Sequence, residues 1–273
     1  MWLSRQGSLR ELLGAPKRGS ASARPGAPGP SDHSGRAGSW VIQYSVIGVT
    51  ELLDELVRRR LDGEPIAWLT GSVRFCGIDV AVHPGVYVPR WHSEVLARRA
   101  AELLPDRGVA VDLCTGTGAI AKVLAATRPA ASVLASDVDA TAVTNARANG
   151  VDAWLGDLFD PLPHHLLGRV DVVVGVVPYV PTAALPLLQR DTFTFETSLA
   201  YDGGDDGTAV LRRAVRGSAR FLRPDGFHQH ELGGDQADLL AGELAGHGFG
   251  VVGAIVDDEG DVRGIEARRS PPR

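Results

Sequence analysis

The stretch VAVDLCTGTGAIAKVL, Val109 to Leu124, decides how the rest of the chain is read. An apolar run ends in Asp112, small residues bring in Gly116 and Gly118, and an apolar periodic segment follows, so a strand, a tight glycine turn and a helix are expected. Glycine lets the backbone approach a ligand closely at such a turn. Further on, VLASDVDA (Val133 to Ala140) reads as a second buried strand ending in Asp137, where one carboxylate can hold two ribose hydroxyls. Strand, glycine turn, helix, strand, acid is the order of a nucleoside-binding unit.

A dinucleotide site calls for G-x-G-x-x-G, with the pyrophosphate seated on the helix N-terminus. Here the turn is DLCTGTGA, headed by Asp112, and an acid repels a pyrophosphate. Asp112 suits a cationic ligand better, such as the amino-acid end and sulfonium of S-adenosylmethionine. A third acid, Asp157 in GDLF, falls at the end of the next strand. With these residues the chain resembles a class I methyltransferase. The resemblance implies an α/β, Rossmann-like fold: a seven-stranded, mostly parallel sheet with helices on both faces, preceded by a short helix and a β-hairpin.

Composition agrees with a globular chain. Its 273 residues can hold one large α/β domain and a smaller appendage, and 44% are hydrophobic. No apolar run reaches the roughly eighteen residues that a membrane span needs. Cys76 and Cys114 lie far apart and form no metal-ligand pattern, which favours a reduced, cytoplasmic protein without a structural metal. Residues 1–37 carry six basic side chains against Glu11 and Asp32; taking that +4 from the net −5 leaves −9 on the rest. A body that acidic is a poor non-specific nucleic-acid binder, and no DNA partner is expected.

Residues 1–38 are rich in Gly, Ser, Pro, Ala and Arg, with little apolar periodicity, and are expected to be a disordered extension. Their arginines also fit a transit peptide, and an upstream mis-called start is a third reading. Residues 39–92 form a truncated helical segment and a hairpin linker. In TELLDELVRRRL, Leu52, Leu53, Leu56 and Val57 make an apolar stripe that needs a packing partner, and Gly63 ends the helix. EPIAWLTGSVRFCGIDVAVHPGVYVPR, Glu64 to Arg90, alternates apolar and polar residues about Cys76-Gly77 and His83-Pro84-Gly85.

At this run the resemblance narrows. EPIAWLTG, then FCGIDVAVHPGVYVPR, then a helix carrying Glu94 is similar to the linker of the release-factor glutamine methyltransferases, the HemK/PrmC family. The likeness covers roughly residues 50 to 268 and makes residues 93–273 the S-adenosylmethionine-dependent methyltransferase domain. TAVTNARANG follows as the helix after the ribose acid. AWLGDLFD is read as a third strand ending at Asp157, RVDVVVGVVPYVP as a fourth over Val170 to about Val176, and FHQHE as a fifth after a turn. A helix to about His247 and two strands about an Asp-Glu-Gly turn complete seven.

The resemblance implies that Asp112, Cys114, Thr115, Gly116, Thr117 and Gly118 border the S-adenosylmethionine cofactor. It also implies that Asp137 holds the ribose, with Val138 beside it at the cofactor and Asp157 and Leu158 at the adenine. Arg90 and Glu196 are candidates for the acceptor pocket. The implied acceptor is a glutamine in a protein such as a peptide chain release factor, met by a monomeric enzyme.

In that family the loop after strand four reads N-P-P-Y, and the asparagine side chain with a neighbouring backbone carbonyl accepts the two hydrogens of the substrate amide. An amide nitrogen is a feeble nucleophile because its lone pair is delocalised, so holding both N–H groups is catalysis by orientation and electrostatic help. This chain reads Val176-Val177-Pro178-Tyr179. Valine offers no side-chain acceptor, and one hydrogen unpaired in a dry site costs about 1–3 kcal/mol. Three readings stay open. The backbone carbonyl at Val177, or Gln189 or His230, replaces the acceptor; the nucleophile has become a hydroxyl or a small molecule; or the pocket binds without catalysis. A DNA adenine methyltransferase uses a similar loop but wants a basic recognition surface that this chain lacks.

Several residues carry weaker readings. Trp91 and His92 either meet substrate or form a surface pair. His228 and His230 alternate on a strand and face one side, with no third metal ligand evident. His164 and His165 fall in an exposed loop. Glu196 lines the acceptor pocket or caps a backbone group.

Overall fold

A computed structural model describes residues 49–188 and 194–271, apart from the side chains of residues 251 and 252. The extension expected over residues 1–38 and the candidate Gln189 lie outside these residues. The elements after the first helix all belong to one compact unit, Leu52–Arg273.

Residues 49–61 form helix α1, which ends before Gly63 at φ 103°. Its apolar stripe is left open in the single chain: Leu52 is 60% exposed, and Leu53 and Val57 are exposed beside it. A one-turn helix α2 (Ile66–Thr70) follows, and then a hairpin of β1 (Ser72–Phe75) and β2 (Ile78–Ala81). Phe75 pairs with Ile78 across the Cys76-Gly77 loop, whose φ angles of 47° and 76° make it a type I′ turn, matched to strand twist.

The hairpin is clamped onto the larger domain by two buried asparagines. Asn145 Oδ1 accepts from His83 N at 2.7 Å, and Asn149 Oδ1 accepts from Ala81 N at 2.9 Å. Both Nδ2 groups donate to Ala81 O at 2.8 Å, and Asn149 also donates to Thr117 O at 2.9 Å. The segment TNARAN therefore serves as more than a helix: its polar face satisfies an otherwise unpaired strand edge and the glycine turn at once.

The domain begins with α3 (Glu94–Leu103) and alternates β3 (Val109–Leu113), α4 (Ala119–Thr127), β4 (Ser132–Asp137), α5 (Ala140–Ala148), β5 (Asp152–Leu155) and β6 (Val170–Gly175). It closes with α6 (Ala209–Phe221), β7 (Leu222–Glu231), α7 (Gln236–Gly246), β8 (Phe249–Val256) and β9 (Val262–Arg269). The sheet order is β5-β4-β3-β6-β7-β9-β8, parallel from β5 to β7, with β9 antiparallel to both β7 and β8. The seven-stranded, mostly parallel fold is as the sequence implied. Two boundaries differ. β5 stops at Leu155, leaving Asp157 just past the strand, and β7 starts earlier, at Leu222, because the Arg223–Gly226 turn is absorbed as a bulge between Val170 and Val172 of its partner.

Both faces are covered, so the central strand β6 is buried throughout its sequence VDVVVG. Val172 and Val174 pack with Leu96 of α3 and Leu124 of α4, while Val173 packs with Leu211 of α6 and Leu240 of α7. Each such valine contributes about 1.5–3 kcal/mol by leaving water. Among the described residues no helix is long and apolar enough to cross a membrane.

Candidate active site

Parallel register brings the C-terminal tips of β3, β4, β5 and β6 side by side, and a cavity of about 360 Å³ opens over them. Ligands of open α/β sheets bind at this edge. Asp112 and Leu113 pair with Ala135 and Ser136, and Asp137 pairs with Leu155, so Asp112, Asp137 and, just past β5, Asp157 face one cavity.

The turn between β3 and α4 is built by those acids. Asp112 Oδ2 accepts from Thr115 Oγ1 at 2.7 Å and from Ala121 N at 3.1 Å, which satisfies an orphan donor of the first helical turn. Asp137 accepts from Gly116 N and Asp139 N, both at 2.9 Å, one on each oxygen. Burial pushes the Asp112 carboxyl up to about 7 and raises Asp137 as well. Cys114 sits at φ 53°, where glycine is at ease, and burial raises its thiol far above the ordinary range, so it stays protonated and non-nucleophilic. Asp157 is ion-paired with Arg213 of α6, and both line the cavity.

The loop after β6 is pinned from three sides. Gln236 Nε2 donates to Tyr179 O at 2.6 Å, and Val180 exchanges backbone bonds with Tyr201 and Gly203 at 2.8 Å. The Tyr179 hydroxyl donates to Glu231 Oε1 at 2.8 Å. Glu231, at the tip of β7, also accepts from Ser93 Oγ at 2.5 Å and meets His92 Nε2 at 3.2 Å. Burial first, then the Glu231 charge, holds the Tyr87 and Tyr179 phenols well above their usual range, so both remain donors.

Of the residues singled out from sequence, Asp112, Cys114, Thr115, Gly116 and Thr117 line the cavity, as do Asp137, Val138, Asp157 and Leu158. So do Arg90, Val176 and Pro178. Gly118, Val177, Tyr179 and Glu196 do not. At Gly118 a Cβ would lie 2.9 Å from Val151 Cγ2 and 3.1 Å from Ala146 Cβ, so this glycine serves helix packing. Val177 is buried in the core. Glu196 accepts from Val88 N at 2.9 Å, from Arg90 Nη2 at 2.6 Å and from the Tyr201 hydroxyl, and thereby braces the wall that Arg90 forms. His230 is fully buried with Nδ1 2.9 Å from Gly175 O, and it does not line the cavity. His92 meets Glu231, whereas Trp91 is 58% exposed under the Arg263 guanidinium.

Tyr87, Ser93, Arg213 and residues of the 197–202 segment also line the cavity, and no motif in the sequence marks them as lining residues. Tyr87 and Ser93 lie within three residues of Arg90, and that closeness in the chain is the one local signal for them. Arg213 lies 56 residues from Asp157, and nothing local links them.

Comparison with known proteins fits this geometry. Residues 78–155 match the family model described as the methyltransferase small domain. The chain is 35% identical over 200 residues to the release factor glutamine methyltransferase of Geobacter sulfurreducens, covering 71% of this chain and 69% of that one. It is 36% identical over 235 residues to the enzyme of the same name from Xylella fastidiosa, covering 81% and 84%. Among solved structures, a methyltransferase from Pyrococcus furiosus superposes with a TM-score of 0.51 at 19% identity, covering 71% and 90%, which shows the fold. By its sequence similarity to such relatives over most of their length, the chain belongs to the release factor glutamine methyltransferase family.

Proposed function

We propose that this protein transfers the methyl group of S-adenosylmethionine to the side-chain amide nitrogen of a glutamine in a protein, a peptide chain release factor being the candidate, and that it does so as a cytoplasmic monomer. One observation carries the reading: a single cavity gathers the acids at three strand tips and the Val176-Pro178 corner of the loop after β6.

The residues present fit the donor. Its volume lies within the range of ordinary cofactor pockets, and its wall combines carboxylates with apolar Val138, Ala142 and Leu158. Asp137 retains lone pairs for ribose hydroxyls beyond its two backbone bonds. Val138, Ala142 and Leu158 would flank the base, and Asp112 would face the cationic amino-acid end. When bound, the donor supplies a methyl group made electrophilic by a positive sulfur. The protein's part is to hold the acceptor amide against Pro178, to keep water out with the 197–200 segment, and to keep the Tyr179 loop rigid through Glu231 and Gln236.

Isothermal titration with S-adenosylmethionine and S-adenosylhomocysteine, followed by mass spectrometry of a purified release factor, tests this. Saturable binding with a methylated glutamine supports the reading. Saturable binding with methylation of a hydroxyl, or with no transfer, removes the glutamine assignment, and no binding removes the whole of it.

A further inference from the structure

Val176 leaves the acceptor corner without a side-chain amide oxygen, yet a buried polar group lines the same cavity. Ser93 lines the cavity together with Val176 and Pro178 and is 3% exposed. Its Oγ donates to Glu231 Oε2 at 2.5 Å. The other oxygen of that carboxylate takes the hydroxyl of Tyr179, the residue after Pro178, at 2.8 Å. One carboxylate thus fixes Ser93 and the loop against each other. Glu231 is 2% exposed and does not itself line the cavity.

A serine hydroxyl has one hydrogen and two lone pairs, and when free it rotates to donate or to accept. Here the hydrogen is committed to a charged acceptor, which is the stronger kind of bond. Only lone pairs remain for the cavity. That is the hydrogen-bonding character of an amide oxygen, and it is what Val176 cannot provide.

Resting on the glutamine reading given above, we propose that Ser93 Oγ, locked by Glu231, accepts one hydrogen of the acceptor amide and makes the site select an amide over a carboxylate. An amide nitrogen offers two hydrogens and a carboxylate none, so an acceptor-only wall receives the first and repels the second. Glu231 is a positioning residue, acting through Ser93 and Tyr179.

The experiment starts from the glutamine that the wild-type enzyme methylates in a purified release factor, found by mass spectrometry. A peptide around it and the same peptide with glutamate in its place are titrated into the enzyme holding S-adenosylhomocysteine, and kcat and KM are measured on the release factor. Ser93→Ala is expected to lower kcat roughly ten- to hundredfold with little change in KM, and to shrink the glutamine-over-glutamate preference about tenfold. Its affinity for S-adenosylhomocysteine stays at the wild-type value. Ser93→Thr restores kcat and preference, and adding Val176→Asn to Ser93→Ala restores kcat. Glu231→Gln, which presents an amide to Ser93 and releases its hydrogen, also erodes the preference. Wild-type kcat and preference in Ser93→Ala, a joint loss of S-adenosylhomocysteine binding, or failure of threonine to rescue overturns the proposal alone. A wild-type enzyme that methylates no glutamine overturns the underlying reading and the proposal with it.

Discussion

Asp137 Oδ2 lies 2.9 Å from the backbone nitrogen of Gly116, so the tip of β4 and the glycine turn after β3 share one hydrogen bond. With Asp139 N on the other oxygen, both ends of the carboxylate are needed as acceptors. Asp137→Asn turns one of them into a donor facing a donor. The expected result is a loss of about 1–3 kcal/mol in stability and a tenfold or greater loss in S-adenosylmethionine affinity. Urea unfolding and calorimetry measure the two, and unchanged affinity would show that this acid is no ligand.

Asp112 ties donor affinity to pH. Burial holds its carboxyl at about 7, and a cationic ligand favours the ionised form, so binding expels a proton wherever Asp112 is protonated. Affinity is expected to fall up to tenfold for each pH unit below about 7 and to level off above it. Titrations in buffers of different ionisation enthalpy should register proton release near neutrality, and Asp112→Asn should abolish it.

His228 and His230 make the fold acid-sensitive. Their rings lie 4.4 Å apart between centroids, fully enclosed, and burial lowers both, His230 to about 4. A base with a depressed value in the folded state takes up its proton first in the unfolded chain. Its stabilising contribution is complete above the ordinary histidine value of about 6.5 and is lost as pH falls from there toward 4, on the order of 3 kcal/mol for His230. Asp112, raised rather than lowered, acts in the opposite sense over the same window. Unfolding midpoints from pH 7.5 to 5 should therefore drop less steeply in His230→Leu than in the wild type, whatever the variant's absolute stability.

Gly118 holds the start of α4 against α5. A methyl group there would crowd Val151 and Ala146 and would have to adopt φ 80°. Gly118→Ala is expected to destabilise the protein by roughly 1–3 kcal/mol, with activity per folded molecule largely kept. A large fall in donor affinity without loss of stability would instead make this glycine a ligand contact.

Val176→Asn tests the acceptor corner from the other side. With Ser93 already accepting one amide hydrogen, a further side-chain acceptor beside Pro178 is expected to leave glutamine methylation within about twofold of the wild type, read as kcat on a release factor. A tenfold gain would mean that one amide hydrogen goes unpaired in the wild-type corner.

Much of this was legible in the chain because it depends on neighbours in sequence. The periodicity of VAVDL, the glycines of CTGTG and the Cys76-Gly77 turn specify backbone conformations locally, so strands, turns and the acids at their tips could be read in order. Val176 in the loop was visible for the same reason. The packing of α1 was not, since an apolar stripe states only that a partner suits it and names none.

What the tertiary structure alone decided is which polar groups share an enclosed space. Ser93 and Glu231 are separated by 138 residues, Asp157 and Arg213 by 56, and the hairpin and Asn149 by 68. A buried carboxylate must find partners, but the sequence carries no record of which distant hydroxyl or guanidinium reaches it. Only the stacking of β7 beside β6, with α3 laid across them, brings Ser93, Tyr179 and Glu231 together, because desolvation makes those bonds obligatory once the chain has closed around them.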